Sequence, residues 1–173
     1  MEEKKPMTHV TAGLLIAAII VVFAITTQFL GLAQQSSIGW LQYILIIGAL
    51  IFFVNQYGKA YNYTKTFGNL FAYGFKATAV FTVIFIIFLV IFFLLFPEFK
   101  EKTFDVARTE MEKNEKLSDG QIEDGIDMVR KFFWVMVVGG SMLGLIIVGC
   151  IGSLLGAAIT KKRPHNPLEQ PGV

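Results

Sequence analysis

Charge is missing from three long stretches of this chain. No Asp, Glu, Lys or Arg occurs between Lys5 and Lys59, none in residues 77–97 and none in residues 132–160. A helix needs about 20 apolar residues to cross a hydrocarbon core of about 30 Å, and inside that core its backbone groups must be satisfied internally. The second and third runs each hold one crossing, and the first is long enough for two. The middle of the first run, GLAQQSSIGW (residues 31–40), gathers polar and turn-forming residues and reads as a tight connection between helices. The chain is therefore expected to be all-α and polytopic. Four transmembrane helices are expected at about 11–32, 38–57, 76–96 and 133–160, in a single membrane domain over residues 1–163. The Pro-rich remainder, 164–173, reads as a short disordered cytoplasmic tail. The first apolar stretch is longer than a signal-peptide core of about 7–15 residues, and MEEKK carries no net positive side-chain charge, so it reads as a span and not as a cleaved leader.

Orientation follows from the basic residues that flank the spans. The segment between spans two and three carries Lys59, Lys65 and Lys76 and no acid, and the segment after span four opens with Lys161, Lys162 and Arg163. Residues 97–131 carry seven basic and ten acidic residues, a net of −3. Both termini and the middle loop are expected in the cytoplasm, with the acidic segment outside. Trp40 and Trp134 then fall at outer ends, and Tyr57, Tyr61, Tyr63 and Tyr73 at inner ends, the levels that amphipathic rings prefer.

The acidic segment, about 97–132, predicts a helical hairpin that extends spans three and four. Pro97 stops or kinks span three. Phe104, Ala107 and Met111 share one helical face. Ser118 and Gln121 fit a capping box, and Ile122, Ile126, Val129 and Phe133 follow at spacings of four, three and four. The two apolar stripes are expected to zip the arms together, with the turn near residues 114–118. DGQIEDGID resembles a calcium loop at a glance. Counted from Asp119, however, the glycine position holds Asp124 and the twelfth position holds Arg130, where a bidentate Glu is needed. Asp119, Glu123 and Asp127, four apart, read as a solvated stripe, with Lys131 placed to pair with Asp127.

No ionisable carboxylate or ammonium group falls at mid-span. Such groups are functional candidates by default, so their absence argues against a proton-coupled pump. Cys150 reads as a small packing residue. His9 and His165 read as solvated. No motif of a metalloprotease, serine hydrolase, phosphate loop or redox dithiol occurs. No catalytic residue, cofactor or metal is expected. The spans carry packing signals instead. Gly140, Gly144, Gly152 and Gly156 fall at multiples of four, and small residues let helix backbones approach closely. Leu145 and Ile146 lie away from that glycine series. Phe81, Phe85, Phe88, Phe92 and Phe96 form a bulky stripe on span three. Either the rings fill the glycine groove, or they face lipid while the glycines serve a dimer. The hairpin holds spans three and four side by side, which favours packing within one chain. Phe67, Leu70, Phe71 and Phe75 follow a possible Thr66 cap as an interfacial helix or as an early start of span three.

The order of these features resembles a known family. TFGNLFAYGFK leads into a Phe/Ile-rich span ending in FPEF, then come an acidic hairpin and a glycine-rich last span ending in AAITKK. The chain resembles, over about residues 8–162, the bacterial four-span membrane proteins grouped as domain of unknown function 4199. The resemblance implies an integral inner-membrane protein and supplies no catalytic residues. The expectation is a non-enzymatic partner or regulatory subunit, or alternatively a subunit of a small oligomeric transporter or channel. Its expected partners are the lipid bilayer and another membrane protein or a second copy of itself, not nucleic acid.

Overall fold

The structure is a computed structural model that describes residues 6–33, 35–113 and 117–162. The MEEKK start, most of the expected hairpin turn, Arg163, His165 and the 164–173 tail lie outside the described residues. Among the described residues all regular structure is helical: α1 His9–Phe29, α2 Ser36–Ala60, α3 Phe67–Leu95, α4 Pro97–Glu112, α5 Asp119–Trp134 and α6 Gly140–Ile159, with a π-helical turn at Val135–Gly139 joining α5 to α6. Four helical stretches are long and apolar enough to cross a membrane. The chain is a multi-pass membrane protein.

Local chemistry sets the ends. Thr8 caps α1 by accepting from Thr11 N–H, and Thr66 caps α3 by accepting from Asn69 N–H. α1 ends in a Schellman turn: Gly31, at φ 70, donates to Gln28 C=O, and Leu32 donates to Thr27 C=O. α2 ends the same way with Asn62 in the glycine position, at φ 51. Asn62 donates to Lys59 C=O and Tyr63 donates to Gly58 C=O. Helix α3 runs unbroken from Phe67, so its first turns are an early start of span three and not a separate interfacial helix. Leu70 is buried in it while Phe67 and Phe75 are exposed. At 29 residues α3 is about 44 Å long, more than a hydrocarbon core. Pro97 takes the first position of α4, where its missing N–H costs nothing.

α3 and α6 form the axis of the bundle. α3 packs most extensively on α6 and α1, and α6 packs on α2 in turn. Their seams are built from small residues. Between the antiparallel α3 and α6, a Cβ added to Gly149 would overlap the Thr78 side chain, and one added to Gly74 would meet Ser153 Oγ at 2.7 Å. Between the parallel α2 and α6, Gly152 lies on Leu50, Gly156 on Val54 and Thr160 on Gly58, each step four residues on in both helices. Between α1 and α3, Gly13 faces Val80 and the Ala77 carbonyl. Three buried hydroxyls on these seams bond their own helix: Thr78 Oγ1 donates to Gly74 C=O (3.0 Å), Ser153 Oγ to Gly149 C=O (2.6 Å) and Thr160 Oγ1 to Gly156 C=O (2.7 Å), while Thr82 Oγ1, one turn beyond Thr78, is buried without a partner among the described residues. A hydroxyl satisfied in this way can be buried without an orphaned donor. The outward faces are aliphatic, including Leu14, Val22, Val83, Ile87, Ile91, Leu143, Ile147 and Ile151. That belt is what lipid tails solvate.

Candidate functional site

Three parts of this bundle carry more than span packing: the α4–α5 hairpin, a cavity at the hairpin end, and a cleft at the lysine-rich end.

The hairpin is rooted in aromatic rings. Phe92, Phe93, Phe99, Phe104 and Phe133 form one buried cluster. Phe133 meets Phe93 and Phe104 edge-to-face, with centroids 5.2 and 5.5 Å apart, and Phe29 of α1 meets Phe96 and Phe99 the same way. Edge-to-face pairing suits the ring quadrupole. Lys100 Nζ lies 5.0 Å over the Phe133 ring, and the Arg130 guanidinium 5.5 Å over Phe104. Further out, Ile122 and Ile126 are buried, Ala107, Met111 and Val129 are half-buried, and Met111 covers Gly125. The capping box forms: Gln121 N–H donates to Ser118 Oγ, and Ser118 N–H donates to Gln121 Oε1. Asp119, Glu123 and Asp127 are exposed, and no three ligands cluster for a metal among the described residues. Glu123 pairs across the hairpin with Arg108 at 2.9 Å, where the sequence had suggested an Asp127–Lys131 pair. That hydrogen bond first, and the Glu123 charge second, hold the Arg108 guanidinium above its ordinary value.

α5, the π-helical turn and α6 run on as one rod of 41 residues. Phe133 and Leu145 are both buried. Twelve residues apart, they would point about 120° apart on an uninterrupted α-helix. The wide turn absorbs about one extra residue and returns both to the same face. This lets one rod zip α4 with its outer half and pack the bundle with its inner half.

The glycine series divides along its length. Steps of four residues drift about 40° each on a helix of 3.6 residues per turn, so Gly140 and Gly156 lie about 160° apart. Gly152 and Gly156 are buried, and they face α2, not the phenylalanines of α3. Gly140 and Gly144 meet nothing within 4 Å of an added Cβ. The glycine that receives α3 is Gly149, and Leu145, placed by sequence away from the packing face, is buried. Phe81 and Phe85 lie in the main core with Ile16, Ile20, Ile46 and Leu50, while Phe92 joins the hairpin root and half-buried Phe88 touches both clusters. Phe81 and Phe85 thus fill the bundle centre, and Phe92 is buried at the hairpin root.

Gly140 and Gly144 line a cavity of about 250 Å³ at the hairpin end, with Thr27, Gln28, Gln42 and Ser141 among its walls. Cys150 is half-buried further along α6.

A cleft of about 560 Å³ opens at the opposite end, among the start of α1, the end of α2 and the start of α3. Tyr57 and Tyr73 stack there with centroids 4.1 Å apart and planes 14° apart, and Tyr61 meets Tyr57 at 5.0 Å. Lys65 Nζ sits 4.1 Å over the Tyr61 ring. Lys76, Asn69 and His9 also line the cleft. His9, expected free in solvent, is half-buried. Tyr73 is 5% exposed and its hydroxyl has no hydrogen-bond partner among the described residues. Sequence reading placed these tyrosines at a membrane boundary and missed the cleft. The available signal was the spacing of Asn69, Tyr73 and Lys76, which puts them on one face of α3.

A family model described as "Protein of unknown function (DUF4199)" matches residues 11–162. No curated protein and no solved structure matches the chain.

Proposed function

The chain belongs to the DUF4199 family of proteins of unknown function, and from that premise we propose that it is a non-enzymatic partner or regulatory subunit in the cytoplasmic membrane. In this reading both termini are cytoplasmic and the hairpin projects outside as the contact element. One observation carries it: an aromatic-rooted hairpin that leaves Met128 (64%) and Phe132 (44%) exposed on one face of α5. Contiguous exposed apolar side chains mark contact surfaces, and Met128 and Phe132 lie one helical turn apart on α5. The test is purification in mild detergent followed by mass spectrometry of what stays bound. A membrane protein in fixed ratio, or a defined oligomer of the chain, is expected. A lone monomer from membranes that retain all other complexes contradicts the reading.

A second reading, a subunit of an oligomeric transporter or channel, draws on the cavity with Thr27, Gln42 and Ser141 on its walls. It requires measurable solute or ion flux in proteoliposomes, which the partner reading does not.

A further inference from the structure

The cleft at the lysine-rich end has the chemistry of an anion site. Lys65 and Lys76 both line it, and among the described residues no carboxylate does. The N-terminus of α1, a 21-residue helix with no acidic residue in its first turn, also borders it through the cap Thr8 and through His9. Helix N-termini present unpaired N–H groups and the positive end of the dipole. The Tyr73 side chain, 5% exposed, forms part of the wall and buries a hydroxyl with no partner. A buried orphan hydroxyl is costly unless something completes it. The Tyr57–Tyr73 stack holds that ring in place. Lysines and amphipathic tyrosines together mark the headgroup level of a bilayer.

We propose that this cleft binds the phosphate group of an anionic phospholipid, with Lys65 and Lys76 neutralising the charge and Tyr73 donating a hydrogen bond. The same chemistry would accept a soluble phosphate ester, but the position of the cleft at the tyrosine level favours the lipid. The site does not depend on the hairpin having a protein partner, nor on which leaflet it faces.

The full chain in mild detergent is titrated with phosphatidylglycerol and with phosphatidylcholine and read by native mass spectrometry. Wild type should retain phosphatidylglycerol at about ten-fold lower concentration than phosphatidylcholine. Lys65→Gln with Lys76→Gln should abolish that preference. Tyr73→Phe, which keeps the stack and removes only the hydroxyl, should weaken it by about three- to ten-fold. The pair Lys59→Gln and Lys161→Gln, at the same end but outside the cleft wall, should change nothing. Glycerol 1-phosphate supplies the second arm. Retention that millimolar amounts leave intact assigns the site to lipid, and displacement at those amounts assigns the same phosphate contacts to a soluble ester. Equal loss in the Lys59/Lys161 pair, an unchanged Tyr73→Phe, or no preference in wild type overturns the proposal.

Discussion

Gly149 of α6 lies so close to Thr78 of α3 that no Cβ fits between them. Thr78 Cβ itself would stand 2.9 Å from the added atom, so rotating the side chain does not clear the space. Gly149→Ala should therefore push the central helix pair apart and cost about 1–3 kcal/mol. Gly152→Ala should act similarly against Leu50 and the Ile47 backbone. Gly140→Ala and Gly144→Ala, which meet open space, should leave the melting temperature in detergent unchanged. Equal melting of all four variants would remove the seam assignment.

The hairpin should stand on its apolar side chains and not on its charges. Ile126 is 2% exposed, and burying such a side chain contributes about 1.5–3 kcal/mol. Ile126→Asp should open the arms, so that limited proteolysis in nanodiscs cuts deep within α4 and α5. Ala at Asp119, Glu123 and Asp127 together should leave cutting confined to Lys113 and its neighbours. Protection of the native hairpin by micromolar calcium or zinc, lost in that triple variant, would contradict the structural role.

Membrane sidedness rests on charge asymmetry. In a Cys150→Ser background, a cysteine at Lys113 should react with an impermeant thiol reagent on intact spheroplasts, and one at Asn62 should not. Labelling at Asn62 alone would invert the topology.

The four spans were legible because uncharged length is a one-dimensional property, and a bilayer converts it directly into structure. The hairpin was legible for a related reason. Ser118, Gln121 and the Ile122–Ile126–Val129–Phe133 spacing are local signals, and local spacing fixes a helical face. The lateral order of the helices was not legible. Every span is apolar nearly all round, so no stripe says which face meets which neighbour. The series Gly140–Gly156 reads as one face only if its drift of about 40° per step is ignored, and nothing in VMVVG announces the π-helical turn that resets the face. The cleft was missed because Tyr57 and Tyr73 belong to different helices, and their stack forms only once α2 and α3 pack side by side.

A contact role for the hairpin is tested most directly by placing a photoreactive residue at Met128 or Phe132 and irradiating intact cells. A discrete protein adduct is expected at both positions, either a second membrane protein or another copy of the chain. The same probe at Glu110, on the hydrated side of α4, should give none. Adducts with lipid alone at Met128 and Phe132 would mean that this face dips into the bilayer, and would contradict a partner-binding hairpin.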